Sequence, residues 1–443
     1  MSALLRKNKI LVFFIFALVL TGAVLFYEAK IEKQIDSVYL SDFFFLEKDN
    51  SSVYLKLFDD VKEEYLLTKK DFLEVNLDNM KIRIFKQGSL IKEVPILAKG
   101  DINNWGGSAA GIYKIIRGYK LGYSNIADVY MPYALHYYGK YYIHGEPYYP
   151  WGEKLESPVS GGCLRLENED AESIFQLTDL NMPVLVIDKE KDYTDYKDVF
   201  QKPKVSAESF LVADLDSGFI FADKDSFVSL PIASLTKLMT AVIIAENVDL
   251  KRSLSIKQRM LDLGYGATEG LEVGKTFRTI ELFYPLLIES SNDAAFALSW
   301  LLGQEKTINL MNEKAKSILM ENTSFVEPSG FDPANTSTAK DLFYLARYLL
   351  NNRYPILEIT KGNKVTSFGS VGFDIEKLWN KNIFIYDPTF IGGKTGYIKA
   401  SKQTAVFLFK FEQRNIAIIL LGSADLRRDT QKLYIWLQKN YFN

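Results

Sequence analysis

A single cysteine, Cys163, stands in a chain of 443 residues. No internal disulfide can brace the fold, so every domain has to hold together by burying apolar side chains. The length suffices for two or three domains at roughly 150 residues each. A balance of 48% hydrophobic to 24% charged residues is that of a folded globular chain, not of disorder. The thiol is then either an inert packed group or a reactive one. Histidine is almost as scarce, with only His136 and His144. Three soft ligands within one stretch argue against a zinc hydrolase, and no metal or organic cofactor is expected. With Lys+Arg 53 against Asp+Glu 55, the net charge of -2 supplies no basic face, so nucleic acid is not an expected partner.

At the amino end, Arg6, Lys7 and Lys9 precede an uncharged apolar run from Ile10 to Tyr27. That is close to the roughly 20 residues a membrane-spanning helix needs, and the flanking cations keep the amino end inside. A small-residue cleavage site, Thr21-Gly22-Ala23, lies within the run rather than after it. The expectation is an uncleaved single-pass anchor in the cell membrane over residues 10–27, with a cytoplasmic tail 1–9 and everything after Glu28 outside the cytoplasm. Residues 28–71 lack a clear period and read as a partly helical stalk.

From Phe72 the pattern sharpens. Leu73, Val75 and Leu77 alternate with polar residues, Asp78-Asn79 offers a turn, and Ile82 and Ile84 resume the alternation, which predicts a β-hairpin. A mainly β domain is expected over 72–188. Residues 189–205, rich in Lys, Asp and Tyr, read as a linker. The region 206–443 opens with a predicted hairpin, continues with helical patterning from Ile232 to about Leu350, and closes with a strand pair over Thr404–Phe411 and Ile416–Gly422 before a helix through Leu433 and Trp436. Strands at both ends of a helical middle predict an α+β architecture.

The chemistry sits in two places. Around the cysteine the chain reads His144-Gly145, an aromatic-rich loop, then Ser160-Gly161-Gly162-Cys163-Leu164-Arg165. A thiol attacks as thiolate and needs a neighbouring base or positive charge, which an imidazole supplies. The paired glycines let backbone amides approach a carbonyl, and Arg165 suits a carboxylate. From one His and one Cys alone, a packed core thiol explains the residues at least as well. The full string resembles the L,D-transpeptidase catalytic domain of the YkuD type, over roughly 72–188. The resemblance implies Cys163 as nucleophile, His144 as its base, and Ser160, Gly162 and Arg165 as the surrounding motif.

In the second region Ser234-Leu235-Thr236-Lys237 opens a helical pattern, placing a lysine one turn from a hydroxyl. Ser290-Ser291-Asn292 falls between helical patterns, and Lys394-Thr395-Gly396 falls on an expected strand. These three triplets in this order are the penicillin-binding and serine β-lactamase set. Together with Pro328-Ser329-Gly330 and Ser337-Thr338-Ala339 they resemble the low-molecular-mass D-alanyl-D-alanine carboxypeptidases over about 206–443. The resemblance implies Ser234 as nucleophile, Lys237 as base, Ser290 and Asn292 in proton relay and substrate contact, and Lys394, Thr395 and Gly396 in recognition of a carboxylate. Backbone amides of Ser234 and Tyr397 would form the oxyanion hole.

The sequence thus reads as a multidomain protein: an N-terminal transmembrane helix, a mainly-β L,D-transpeptidase domain and an α+β penicillin-binding domain. The expected substrates are peptidoglycan stem peptides, with β-lactams as covalent inhibitors and the membrane engaged through the anchor. Two other readings stand beside it: a binding protein for murein or β-lactam with one site inactive, and a β-lactamase.

Overall fold

The computed structural model describes residues 54–197, 199, 201–261, 271–365 and 374–442. The expected tail, the apolar run 10–27 and the stalk up to residue 53 lie outside the described residues.

The predicted first hairpin is present. Phe72–Asn76 pairs antiparallel with Lys81–Lys86, Leu73 opposite Ile84 and Val75 opposite Ile82. Asn76 Oδ1 accepts from the backbone N–H groups of Asp78 and Asn79, 3.0 Å each, and so closes the turn. These strands belong to a five-stranded sheet in the order Ser89–Pro95, Lys81–Lys86, Phe72–Asn76, Pro183–Ile187, Gly111–Lys114. A four-stranded sheet follows, in the order Arg117–Ser124, Val129–Tyr138, Tyr141–His144, Leu164–Arg165. Helix Asn168–Leu177, which strand-oriented reading passed over, buries Ala171 and Ile174.

The later region is built on a five-stranded antiparallel sheet ordered Ile220–Lys224, Ser209–Asp214, Arg414–Ser423, Lys402–Phe411, Phe390–Ile398. Arg414–Ser423 is buried along nearly its whole length because helices Ala339–Asn352 and Leu426–Tyr441 pack on the sheet. The helical lobe includes Thr236–Asn247, Asn292–Ser299, Gln304–Ser317 and Tyr354–Lys361.

Two expectations are corrected. The last part of the expected stalk is core: helix Phe58–Leu67 buries Phe58, Val61 and Tyr65, and Leu55 and Leu57 join the same apolar cluster. The expected linker is not a free tether. Its described residues lack regular secondary structure, yet Lys189 Nζ meets Asp216 at 2.6 Å, Arg414 meets Asp192 at 2.7 Å, and the Tyr196 ring packs on Phe219 and Phe221. One continuous apolar core runs from Leu55 to Leu421, so the described residues from 55 onward form a single compact unit. The reason is that the 72–188 and 206–443 regions share a buried face. Asp188 binds Arg347 at 2.7 Å and Trp105 meets Phe283 edge-on at 5.1 Å.

Candidate active sites

Ser234 lies in a single 3₁₀ turn, Ala233–Leu235, that runs directly into helix Thr236–Asn247. Ala233 has φ 49°, a left-handed conformation strained for a residue with a Cβ, and it turns the chain sharply just before the nucleophile position. Glycine is required opposite: a Cβ on Gly330 would lie 1.8 Å from Ala233 O. Lys237 follows one turn later on the same helix face, with Nζ 2.9 Å from Ser234 Oγ. The ammonium also donates to Asn292 Oδ1 at 2.7 Å and to Ser329 O at 2.6 Å. It is fully buried, and desolvation pulls its pKa down to about 7, opposed by the Glu327 carboxylate. A lysine with this pKa is half neutral near neutrality and able to take the proton of the adjacent hydroxyl.

The second triplet is arranged by helix capping. Ser291 Oγ accepts from Ala294 N at 3.0 Å and starts helix Asn292–Ser299, which puts Asn292 in its first position facing Lys237. Ser290, at φ 66°, makes no side-chain hydrogen bond among the described residues, although its Oγ is buried. The third triplet lies on Phe390–Ile398, the edge strand of its sheet. A Cβ on Gly396 would come within 2.9 Å of Ser234 N, so only glycine lets the strand pass this close to the nucleophile. Lys394 is almost wholly buried and donates to Thr395 O at 2.8 Å; burial, with the charges of Lys237 and Lys381 added, holds its pKa well below the usual lysine range. Thr395 Oγ1 donates to Lys381 O at 3.2 Å. A cleft of about 510 Å³ opens over these groups, lined by Ser234, Ser290, Lys381, Thr395, Gly396, Tyr397 and Arg427 among others. The fold therefore brings all three triplets to one place.

A model of the D-alanyl-D-alanine carboxypeptidase family matches residues 197–424, just over half of the chain. The chain belongs to that family. It is similar to the D-alanyl-D-alanine carboxypeptidase DacB2 of Mycobacterium tuberculosis, 31% identical over 212 residues that cover 46% of this chain and 70% of the relative. It is also similar to the D-alanyl-D-alanine endopeptidase of Haemophilus influenzae, 32% identical over 217 residues, 48% of this chain and 73% of the relative. The crystal structure of a D-alanyl-D-alanine carboxypeptidase from Mycobacterium tuberculosis is 28% identical, covering 55% of this chain and 95% of its own, with a TM-score of 0.47. A second family model, the L,D-transpeptidase catalytic domain, matches residues 70–186.

The residues that the sequence singles out around Cys163 lie in this second matched region. Its local logic is a short parallel pairing, Ile143 with Leu164 and His144 with Arg165. Ile143 and Leu164 go into the core, which leaves His144 and Arg165 to the other face, with Cys163 directly before the second strand. Ser160 Oγ accepts from Gly162 N at 3.0 Å and donates to Cys163 O, tightening the turn that presents the thiol. Arg165 Nη1 donates to Ser157 O at 2.9 Å. His144 Nδ1 bonds Gly145 O at 2.6 Å, which fixes the tautomer with Nε2 as the acceptor.

Among the described residues Cys163 and His144 do not bond each other. The thiol leans on Lys140 O at 3.7 Å. Burial pushes it up to about 11, against the pull of the Tyr142 backbone N–H and the Lys140 and Arg165 charges. Burial also drives the His144 imidazole down to about 4, opposed by its bond to Gly145 and reinforced by the Arg165 charge. Both partners rest neutral. His136 stacks on the Tyr142 ring at 4.7 Å and bonds Gly139 O at 2.9 Å, so it is a packed residue of the sheet.

Sequence reasoning gave no role to Ser329, Glu327, Lys381 or Arg427. Glu327 takes the N–H and Oγ of Ser329, the N–H of Gly330 and Asn335 Nδ2, and so shapes the loop whose carbonyl meets Lys237. The loop's Pro328-Ser329-Gly330 entered the sequence analysis only as part of the family resemblance, with no role attached to its residues. Nothing local marked Lys381 or Arg427, which reach the cleft only through the folding of the sheet.

Proposed function

We propose that the protein is a bifunctional peptidoglycan-remodelling enzyme, held at the outer face of the membrane by its apolar N-terminal run. At Ser234 it removes the terminal D-Ala of a stem pentapeptide; at Cys163 it forms L,D-linkages from the tetrapeptide product. The observation that carries the first activity is the buried Lys237 amine, 2.9 Å from Ser234 Oγ with a pKa of about 7. In this reading Lys237 takes the hydroxyl proton as Oγ attacks the penultimate D-Ala carbonyl. The oxyanion is met by the N–H groups of Ser234 and Tyr397. The tetrahedral species collapses, the amine of the terminal D-Ala leaves with a proton, and water then releases the acyl chain. The edge of Phe390–Ile398 offers backbone groups for an extended peptide, and Lys394, Thr395 and Gly396 frame its carboxylate. A β-lactam would acylate the same Oγ.

For the cysteine centre, support comes from the turn geometry and from His144 Nε2 as an available acceptor. The thiol proton passes to His144, sulfur attacks the acyl donor with loss of D-Ala, and an acceptor amine resolves the thioester. The resting thiol bond to Lys140 favours a second reading of this region, a murein-holding domain without turnover. Muropeptide mass spectrometry separates the two. Ser234→Ala protein is given pentapeptide or tetrapeptide substrate. The proposal expects L,D-cross-linked product from the tetrapeptide only, whereas wild type makes it from both. No product from tetrapeptide with wild type leaves the holding role, and equal product from both with Ser234→Ala defeats the sequential order.

A further inference from the structure

The contact between the two regions is not a plain apolar seam. At its centre lies a cluster of fully buried charges with buried and partly buried phenols around them. Glu246, near the C-terminal end of helix Thr236–Asn247, meets Arg353 Nη2 at 2.9 Å and Lys314 Nζ at 3.2 Å and accepts from Tyr348 OH. Lys314 donates to Tyr348 OH and to Tyr113 OH, 2.8 Å each. Arg353 spreads across the boundary: Nη1 donates to Gly107 O at 2.5 Å and Nη2 to Tyr141 OH at 2.8 Å. Its planar fork is suited to holding two acceptors at once.

Both acceptors belong to the floor of the cysteine centre. A Cβ on Gly162, at φ 114°, would sit 2.2 Å from Tyr141 Cε1 and 3.0 Å from Gly106 O. The residue before the thiol therefore rests directly on the Tyr141 ring and on the Gly106-Gly107 loop. A second anchor lies beside the first. Lys140, whose carbonyl takes the thiol S–H, extends Nζ to Ala245 O at 3.3 Å, at the end of the helix that begins beside Ser234. Buried charge of this kind is costly to desolvate and needs every partner in place, so the cluster fixes its neighbours in one arrangement.

We propose that Arg353, held by Glu246, is a positioning residue for Cys163, acting through Tyr141 and the Gly106-Gly107 loop. The serine-type region supplies the support on which the cysteine turn is set. The effect on turnover rests on the reading of Cys163 as a nucleophile; the effect on thiol placement does not.

The test uses the full chain and its one cysteine, whose reaction with iodoacetamide reports Cys163 alone. Tyr141→Phe keeps the ring and removes the bond to Arg353. Arg353→Lys keeps the charge and removes the fork. Both are expected to let the turn move, so that Cys163 alkylates at least about threefold faster at pH 8. In L,D-exchange kcat falls and KM stays, while penicillin labelling of Ser234 proceeds at the wild-type rate. Wild-type alkylation in either folded variant overturns the proposal. Loss of penicillin labelling in Tyr141→Phe, together with the thiol effect, would make the cluster a brace for the whole fold and overturn it as well. Changed alkylation in a protein whose wild type lacks L,D-exchange would uphold the placement and reject the nucleophile reading.

Discussion

The Ser234 and Cys163 surroundings sit in one compact body and differ in what burial does to their titratable groups. Lys237 is already within 2.9 Å of the hydroxyl it serves, and burial has lowered it to about 7. Cys163 stands just before the strand that pairs with the one ending in His144, and burial has pushed the thiol to about 11 and the imidazole to about 4. Burial helps the first centre because a neutral lysine is the form that accepts a proton. It restrains the second because both thiolate and imidazolium are charged, and desolvation disfavours each of them. A preassembled base can work on any acyl compound that enters the cleft. On the proposed reading of Cys163 and His144, a neutral thiol and imidazole would need the bound substrate to bring them together.

The largest test of this contrast is deletion of a nucleophile. Ser234→Ala should abolish covalent penicillin labelling, while iodoacetamide alkylation of Cys163 keeps its wild-type rate. A labelled Ser234→Ala protein, seen as an intact-mass adduct, would break the serine assignment. Next comes the pH dependence. Penicillin acylation requires neutral Lys237, so its rate should climb about tenfold per pH unit below neutrality and level off above about 7. Alkylation requires the thiolate, so its rate should still be rising well above pH 9 and reach half its limit near 11. At pH 8 that leaves Cys163 roughly 10²-fold less reactive than an ordinary exposed thiol. A midpoint near 9 for the cysteine would erase the difference between the centres. The smallest expected effect is steric. Gly396→Ala should slow acylation of Ser234 by about tenfold, because the new Cβ meets Ser234 N and Thr404 Oγ1. Alkylation of Cys163 should not change, and stopped penicillin-labelling reactions measure the former directly.

Legibility differed along the chain for physical reasons. The hairpin of Leu73, Val75, Ile82 and Ile84 was readable because one face is buried and the period of two is local. The three triplets were readable because their set and order resemble a known family; local spacing by itself places only Ser234 and Lys237 together, one helical turn apart. The end of the stalk was misread because Phe58, Val61 and Tyr65 form a short apolar stripe on a helix of ten residues, a weak signal alone. The linker was misread because its charged and aromatic residues look solvated until Asp216, Arg414 and Phe221 are placed beside them.

By itself the sequence determined which side chains can do chemistry, since nucleophile, base and glycine types are set residue by residue. It also set the local turns and helix starts that present them. Tertiary structure alone decided that the two regions close on one core, that Ser329 and Glu327 shape the lysine's surroundings, and that Arg353 reaches Tyr141 from the far end of the chain. Arg353 and Tyr141 are separated by 212 positions. A contact over that distance has no period or spacing to betray it, and it exists only when burial forces both polar groups to find a partner.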